Sequence, residues 1–180
     1  MNIAFKTKQS VELKKHIAII HSNNSLTLSQ RKIANALLFY AYDKMQEDAE
    51  HTIHLPVLCK LIGYNSNDHK RIKKDLVTLM STVIEWNLLD PKNPKNGADN
   101  EIWNASSIIA DVRIKGSQCT YSYSIRMREL LYRPEFYGRL NMEIMARFKS
   151  VYGLALYENC IRYQNLNQTT RFDLAVFRRL

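Results

Sequence analysis

Four basic side chains lie close together on a stretch with helical spacing, and they could bind phosphate groups. They are Lys70, Arg71, Lys73 and Lys74. Apolar side chains recur around them at i, i+4, i+7 and i+11, which predicts one buried helix face. These are Ile72, Leu76, Leu79 and Val83. The basic residues then lie on the other side of the helix, where they can contact phosphate. A solvated lysine-rich face, common in many proteins, has the same pattern.

The sequence lacks the motifs that would indicate catalysis. It contains no P-loop, no His-Glu-x-x-His pair and no Gly-x-Ser-x-Gly turn. His51 and His54 have the wrong spacing for the His-hydrophobic-His metal clamp of a rolling-circle nickase. Cys59, Cys119 and Cys160 are far apart and odd in number, which argues against a disulfide framework and a zinc site. Their apolar neighbours predict buried thiols. We expect a protein that is not an enzyme and has no cofactor or metal.

The basic helix has the setting of a helix-turn-helix. Residues 55–82 predict a short helix, a tight turn and a longer helix, the motif that places its second helix in or against a DNA groove. Gly63 is suited to end the first helix because it tolerates a left-handed backbone. Asn67 or Asp68 can cap the second helix, and Asn67 could contact phosphate from there.

A β-hairpin is predicted further along the chain. In the turn at residues 115–118, Gly116 stands at the first central position, as type II′ prefers. The expected pairs are Ile114 with Cys119, Val112 with Tyr121, Ala110 with Tyr123 and Ile108 with Ile125. All would share one face, and Arg113 and Lys115 on the other face could reach the DNA backbone. A helix-turn-helix followed by a hairpin is a winged helix, an α+β fold. The hairpin, or the polar loop at residues 90–100, would be its wing.

Further elements are predicted around this core. They are a helix or extended arm at residues 6–20, a helix ending near Glu47, a strand at 52–55, a helix end running into a strand at 83–89, a short basic helix at 126–132 and a long helix at 142–167. Thr27 and Gln30 fit a capping box at the start of the second of these. The long helix has an apolar stripe formed by Met145, Phe148, Tyr152, Ala155, Leu156, Cys160 and Tyr163.

The domain organisation follows from these elements. We expect a first winged-helix domain at residues 1–140 and a long connecting helix at 141–168. Residues 169–180 begin a new strand-and-helix pattern, which predicts the start of a second domain in a longer protein.

The composition favours a polyanionic partner. The chain of 180 residues has 46 % hydrophobic and 24 % charged residues, as globular proteins do, but its net charge is +9. Nucleic acid or an anionic membrane surface would attract such a charge. No apolar run could span a bilayer and the N-terminus does not resemble a secretory signal, so we expect a cytoplasmic protein.

The order of these pieces resembles the replication initiator (Rep) proteins of iteron-containing plasmids that replicate by the theta mechanism. The resemblance rests on Ser25-Leu-Thr-Leu-Ser-Gln-Arg-Lys-Ile-Ala-Asn-Ala-Leu-Leu38, on the helix-turn-helix and on residues 148–163. The last segment looks like the Leu-Tyr-Glu helix of that family. Its pattern is occupied by Ser150, Tyr152, Leu156, Tyr157 and Glu158.

The resemblance implies a role in plasmid replication. Proteins of this family have two winged-helix domains, bind direct repeats at the plasmid origin as monomers, and repress their own promoter as dimers. It implies that this chain is the first domain with the connecting helix. The expected partners are double-stranded origin DNA, a second copy of the chain bound through the sheet or hairpin, and host replication proteins, with no membrane. Two alternatives stay open: a winged-helix transcription regulator, and a dimerisation module whose basic face is only solvated.

Overall fold

The computed structural model describes residues 11–20, 26–64, 69–89, 101–132 and 137–163. The α-helices in these ranges are α1 (Ile17–Ile20), α2 (Leu28–Ala41), α3 (Leu55–Ile62), α4 (His69–Ser81), α5 (Ile125–Leu131), α6 (Met142–Arg147) and α7 (Val151–Tyr163). The strands are β1 (Glu12–His16), β2 (Glu50–His54), β3 (Val83–Leu89), β4 (Glu101–Ser107), β5 (Asp111–Lys115), β6 (Gln118–Ser122) and β7 (Tyr137–Asn141).

The strands form three antiparallel sheets. Strands β2, β6 and β5 make a three-stranded sheet in that order, while β3 pairs with β4 and β1 pairs with β7. The chain therefore runs from helix α2 through β2 to the helix pair α3–α4, and later returns as the β5–β6 hairpin to pair with β2. This is the order of a winged helix, which confirms the predicted α+β class. The β3–β4 ribbon lies between α4 and that hairpin in sequence.

Helix α2 lies at the centre of the core. Its side chains Ile33 and Leu37 are fully buried, and it packs against both α3 and α4. Burial of each large aliphatic side chain stabilises the fold by roughly 1.5–3 kcal/mol. The hydroxyl of buried Tyr121 in β6 donates to the Leu37 carbonyl at 2.6 Å, which fixes the sheet to this helix.

The capping box at the start of α2 is confirmed, but the predicted end of this helix is wrong. The Thr27 amide donates to the Gln30 side chain at 2.9 Å, and the Thr27 hydroxyl accepts from the Gln30 amide. The α-helix ends at Ala41 instead of Glu47, and Tyr42–Lys44 tighten into a 3-10 turn. The backbone carbonyls beyond that turn accept from Arg128, a distant side chain that local sequence could not reveal.

Helix α4 ends two residues earlier than the apolar stripe predicts. The helix ends at Ser81, so residues 83–89 form strand β3 without a helical start. Val83 opens that strand with 58 % of its surface exposed, so its assignment to the buried stripe was wrong. The predicted strand at 52–55 is observed as β2, and Leu55 instead starts α3.

The predicted hairpin register is confirmed from Lys115–Gln118 to Asp111–Ser122, with Ile114 opposite Cys119 and Val112 opposite Tyr121. Gly116 has a φ of 59°, whereas no described residue other than glycine, and hence not Ser117, has a positive φ. A type II′ turn requires this combination at its two central positions.

The extension of that register to Ile108 and Ile125 is wrong. The ladder ends before Ala110 and Tyr123 can pair within it, because the Ser124 hydroxyl accepts from the Met127 amide and starts helix α5. Ile125 is consequently 73 % exposed on the first turn of that helix.

The last third departs most from the prediction. The long helix is two helices, α6 and α7, separated at residues 148–150. The predicted stripe is wrong at three of its positions, since Tyr152, Leu156 and Cys160 are exposed. The inward face of α7 instead contains Leu154, Ala155, Glu158 and Asn159. Of the predicted buried thiols, only Cys119 is buried; Cys59 is partly exposed.

Several predictions concern parts of the chain outside the described residues. These are the arm before Val11, the cap at Asn67 or Asp68, the polar loop at 90–100 and everything after Tyr163. The domain boundaries therefore stay predictions. Within the described stretches, no helix combines the length and hydrophobicity that crossing a membrane requires.

Candidate nucleic-acid interface

Helix α4 is amphipathic in the predicted sense. Its buried apolar residues are Ile72, Leu76 and Leu79, each at most 2 % exposed. The opposite face is solvent-exposed and contains Lys70, Arg71, Lys73 and Lys74. The four cations are therefore on the accessible side of the second helix of a helix-turn-helix, where a phosphate backbone could approach them.

A buried carboxylate on the inner side of α4 fixes this helix against α2. Asp75 is 7 % exposed; it accepts from the Ser29 hydroxyl at 2.7 Å and from the Gln30 amide nitrogen at 3.1 Å. Both donors belong to the first turn of α2. Because a buried carboxylate is costly without such bonds, this contact defines how α4 lies on the domain.

The turn between α3 and α4 is fixed from the other side by helix α6. Gly63 ends α3 with φ of 68°, as predicted, and its amide donates to the Lys60 carbonyl at 3.2 Å. A Cβ atom on Gly63 would lie 2.8 Å from the Ala146 carbonyl oxygen at the end of α6. The Lys32 ammonium of α2 donates to the same oxygen at 2.6 Å, and burial lowers the pKa of Lys32.

Arg71 is oriented by an aromatic neighbour. Its guanidinium carbon lies 5.7 Å from the ring centroid of Tyr64, within the range of a cation–π contact. This contact directs Arg71 back towards the turn that precedes α4, which broadens the basic surface beyond the helix itself.

The hairpin turn lies next to the helix-turn-helix. The Leu55 amide, at the first residue of α3, donates to the Ser117 carbonyl of the turn at 2.8 Å. Arg113 and Lys115 are exposed on β5, a strand that also packs against α4. The structure thus brings the predicted wing residues and the α4 cations onto elements that contact each other, while Asn67 lies outside the described residues.

The outer face of the three-stranded sheet is polarised. At the end away from the turn, Ser122 of β6 lies between Glu50 of β2 and Asp111 of β5. Its hydroxyl donates to Asp111 at 2.8 Å. At the turn end, Lys115 shares its row with Gln118 and His54. The positive end of this face is therefore the one beside α3.

The sequence-based reasoning missed two polar residues that shape this surface. Asp75 directly follows the cationic run of α4 and is buried, and Glu158 lies fully buried in α7. A search for apolar periodicity passes over both, because a carboxylate counts as surface. The position of Asp75 could have indicated its burial, because it lies three residues after Ile72 and next to Leu76, on the apolar side of the helix.

The described residues contain no group of three or more His, Cys, Asp or Glu side chains that could hold a metal ion.

The family comparison agrees with this geometry. Comparison with curated proteins gives no match. The family described as "Initiator Replication protein, WH1" matches residues 12–161, most of the chain. The chain therefore belongs to the WH1 family of initiator replication proteins, the N-terminal winged-helix domain of plasmid replication initiators.

Proposed function

We propose that this domain binds the direct repeats of a plasmid origin as duplex DNA, with α4 against the phosphate backbone and the β5–β6 turn as the wing. The observation that supports this most is the exposed set of four cations on α4, on a helix whose inner face is buried. Family membership supports a DNA partner and a role in plasmid replication.

The residues would have different parts in this contact. Lys70, Lys73 and Lys74 would neutralise phosphates as point charges, and Arg71 could form a bidentate contact. Arg113 and Lys115 would reach the backbone from the hairpin, and Asn67 from the start of α4. Such contacts position a protein on DNA without reading its sequence. These contacts therefore explain how the domain lies on the duplex, and they assign no side chain to base reading.

Salt dependence tests the assignment of the lysines. Each neutralised phosphate releases counterions and contributes about −0.9 to the slope of log K against log salt concentration. Replacing Lys73 and Lys74 by Ala should weaken binding to all duplex sequences alike and flatten this slope by about one to two units. Fluorescence anisotropy at four salt concentrations would measure it.

A matched control removes the same charge elsewhere. Lys44 and Arg126 are exposed, form ion pairs with Asp48 and Glu129 respectively, and belong neither to α4 nor to the hairpin. The variant with Lys44→Ala and Arg126→Ala should keep the wild-type slope. An equal flattening in both double variants would mean that only net charge matters, and an unchanged slope in the α4 variant would refute the lysine assignment.

Self-association is the second part of the proposal. The β3–β4 ribbon is a two-stranded sheet that exposes 64 % of Trp103 and 46 % of Ile102. Within the described strands its outer edges have no partner strand, and such edges are templates for pairing with another chain. We propose that two copies of the domain associate through this ribbon and that the dimer represses the protein's own promoter.

Sedimentation tests this association. Trp103→Lys places a charge on the exposed face of the ribbon and should shift a dimer to a monomer at the same protein concentration. Tyr152→Lys replaces an equally exposed aromatic side chain on α7, away from the ribbon, and is the control that should keep the wild-type association. A wild-type monomer at high concentration would count against the dimer without affecting the DNA proposal.

Two alternatives remain distinguishable. A transcription regulator with the same fold would bind its own promoter but not a set of direct repeats beside the gene. A dimerisation module would sediment as a tight dimer and bind no DNA in low salt. The proposal includes binding but no catalytic step, no cofactor and no metal, on the basis of the sequence motifs alone. Recruitment of host replication proteins is proposed from the family's role.

A further inference from the structure

The first two turns of α2 contact two buried carboxylates that belong to different helices. Ser29 and Gln30 donate to Asp75 of α4. Arg31 and Asn35 donate to Glu158 of α7. Since Gln30 and Arg31 are consecutive, the two carboxylates are bound by neighbouring residues of one helix. We call this set, Asp75, Ser29, Gln30, Arg31, Asn35 and Glu158, the α2 polar bridge.

The α4 end of the bridge shares a residue with the helix cap. The Gln30 side chain donates through its nitrogen to Asp75 at 3.1 Å and accepts through its oxygen from the Thr27 amide at 2.9 Å. One amide group therefore both closes the start of α2 and holds α4. A displacement of the first turn of α2 must alter one of these two bonds.

The α7 end of the bridge is the most buried charged cluster among the described residues. Glu158 is 0 % exposed; it accepts from Asn35 at 2.7 Å, from Arg31 at 3.3 Å and from Lys15 of β1 at 3.1 Å on each oxygen. Burial lowers the pKa of Lys15, and Glu158 opposes that effect. Removing one partner from such a cluster leaves buried charge unpaired, so the cluster fixes α2 firmly to α7.

We propose that Glu158 and Asn35 are positioning residues for α4, acting through the α2 polar bridge. They touch no part of the exposed cationic face, but they fix the turn of α2 that holds Asp75. The orientation of the α4 lysines then depends on how α7 packs against α2. This inference rests on the proposed DNA contact of α4, and it adds a link between that contact and the helix at the other side of the domain.

The test uses two charge-neutral variants. Asn35→Ala removes the shortest bond to Glu158, and Ser29→Ala removes the shortest bond to Asp75. We expect each to weaken duplex binding at low salt by at least threefold. The two together should weaken it by clearly less than the product of the separate effects, because both loosen the same bridge. The matched control, Ile53→Val in β2, destabilises the core away from the bridge and should leave binding within twofold.

Hydrogen exchange separates positioning from general loss of stability. In the free protein, Asn35→Ala should reduce protection of the α4 amides at least threefold relative to those of α5, whereas Ile53→Val should affect both alike. The inference is overturned if Asn35→Ala leaves α4 exchange and DNA affinity at the control level, or if the two variants combine as independent effects. If wild-type protein bound no duplex, the proposed function would fail. The exchange comparison would still decide whether the contacts of Glu158 and Asn35 stabilise α4 through the bridge.

A more disruptive substitution gives a second test of the proposal. Glu158→Gln keeps the shape of the side chain but removes the charge that Lys15 and Arg31 share. If it folds, its effect on α4 exchange should exceed that of Asn35→Ala. A folded Glu158→Gln protein with unchanged α4 exchange would contradict the proposal.

Discussion

At the scale of single residues, the domain depends on polar groups that it has buried. Glu158 and Asp75 are satisfied by several donors each. His51 is different: it is 5 % exposed, and its Nε2 atom has no hydrogen-bond partner among the described residues. Its ring packs 5.7 Å from Tyr121 and 6.2 Å from Tyr123. Burial lowers the pKa of His51 below its ordinary value of 6.5.

This lowered pKa predicts a loss of stability in mild acid. Below about pH 6.5 the unfolded chain binds a proton at His51 that the folded chain does not, so the free energy of unfolding falls as the pH falls. The loss amounts to at most about 1.4 kcal/mol per pH unit. His51→Phe, which keeps an aromatic ring beside the two tyrosines, should remove that part of the pH dependence.

Urea unfolding at pH 7.5 and pH 5.5 would measure it. The other histidines contribute equally to both proteins, so the difference between the two pH dependences isolates His51. If wild type and His51→Phe lose the same stability between these pH values, the buried histidine is not the cause.

At the scale of elements, the sequence predicted the parts whose signals are local. The hairpin followed from Gly116 and alternating apolar residues, and α2 began at its capping box. The stripe of α7 failed because its core face includes Glu158 and Asn159, whose burial depends on donors from distant elements. The break at residues 148–150 also shifted the phase of the pattern. Long-range pairing of this kind is not encoded in the spacing of apolar residues.

The same dependence on distant elements applies to the turn between α3 and α4. Gly63 and Gly116 both have positive φ, at 68° and 59°, but only Gly63 faces another backbone, the Ala146 carbonyl. Alanine at Gly116 should cost about 1–3 kcal/mol for its positive φ alone. Alanine at Gly63 should cost clearly more, because the added Cβ meets that carbonyl at 2.8 Å.

Thermal or urea unfolding of the two alanine variants gives the comparison, with Gly116→Ala as the matched control for backbone strain. Equal destabilisation by both would show that α6 does not restrict the turn. A larger loss of stability at Gly63, accompanied by weaker DNA binding, would show that the packing of α6 against the turn affects the orientation of α4.

At the scale of the whole molecule, the positive charge of +9 and the winged-helix order point to the same partner. The exposed cations of α4, the Arg113–Lys115 strand and the hairpin turn belong to elements in mutual contact. The roles of these residues, unlike the fold and the family, stay predictions, because the charge and exposure of a lysine do not reveal its ligand.

The most direct measurement is a titration of the chain with duplex from the repeat region of its own replicon and with shuffled duplex of equal length and composition, each at two salt concentrations. We predict tighter binding to the repeats, and binding to both duplexes that weakens steeply with salt, with a slope of about −5 if the four α4 cations, Arg113 and Lys115 each neutralise one phosphate. Equal affinity for both duplexes would contradict repeat recognition by this domain. An absence of binding to either duplex in low salt would contradict the proposed interface as a whole.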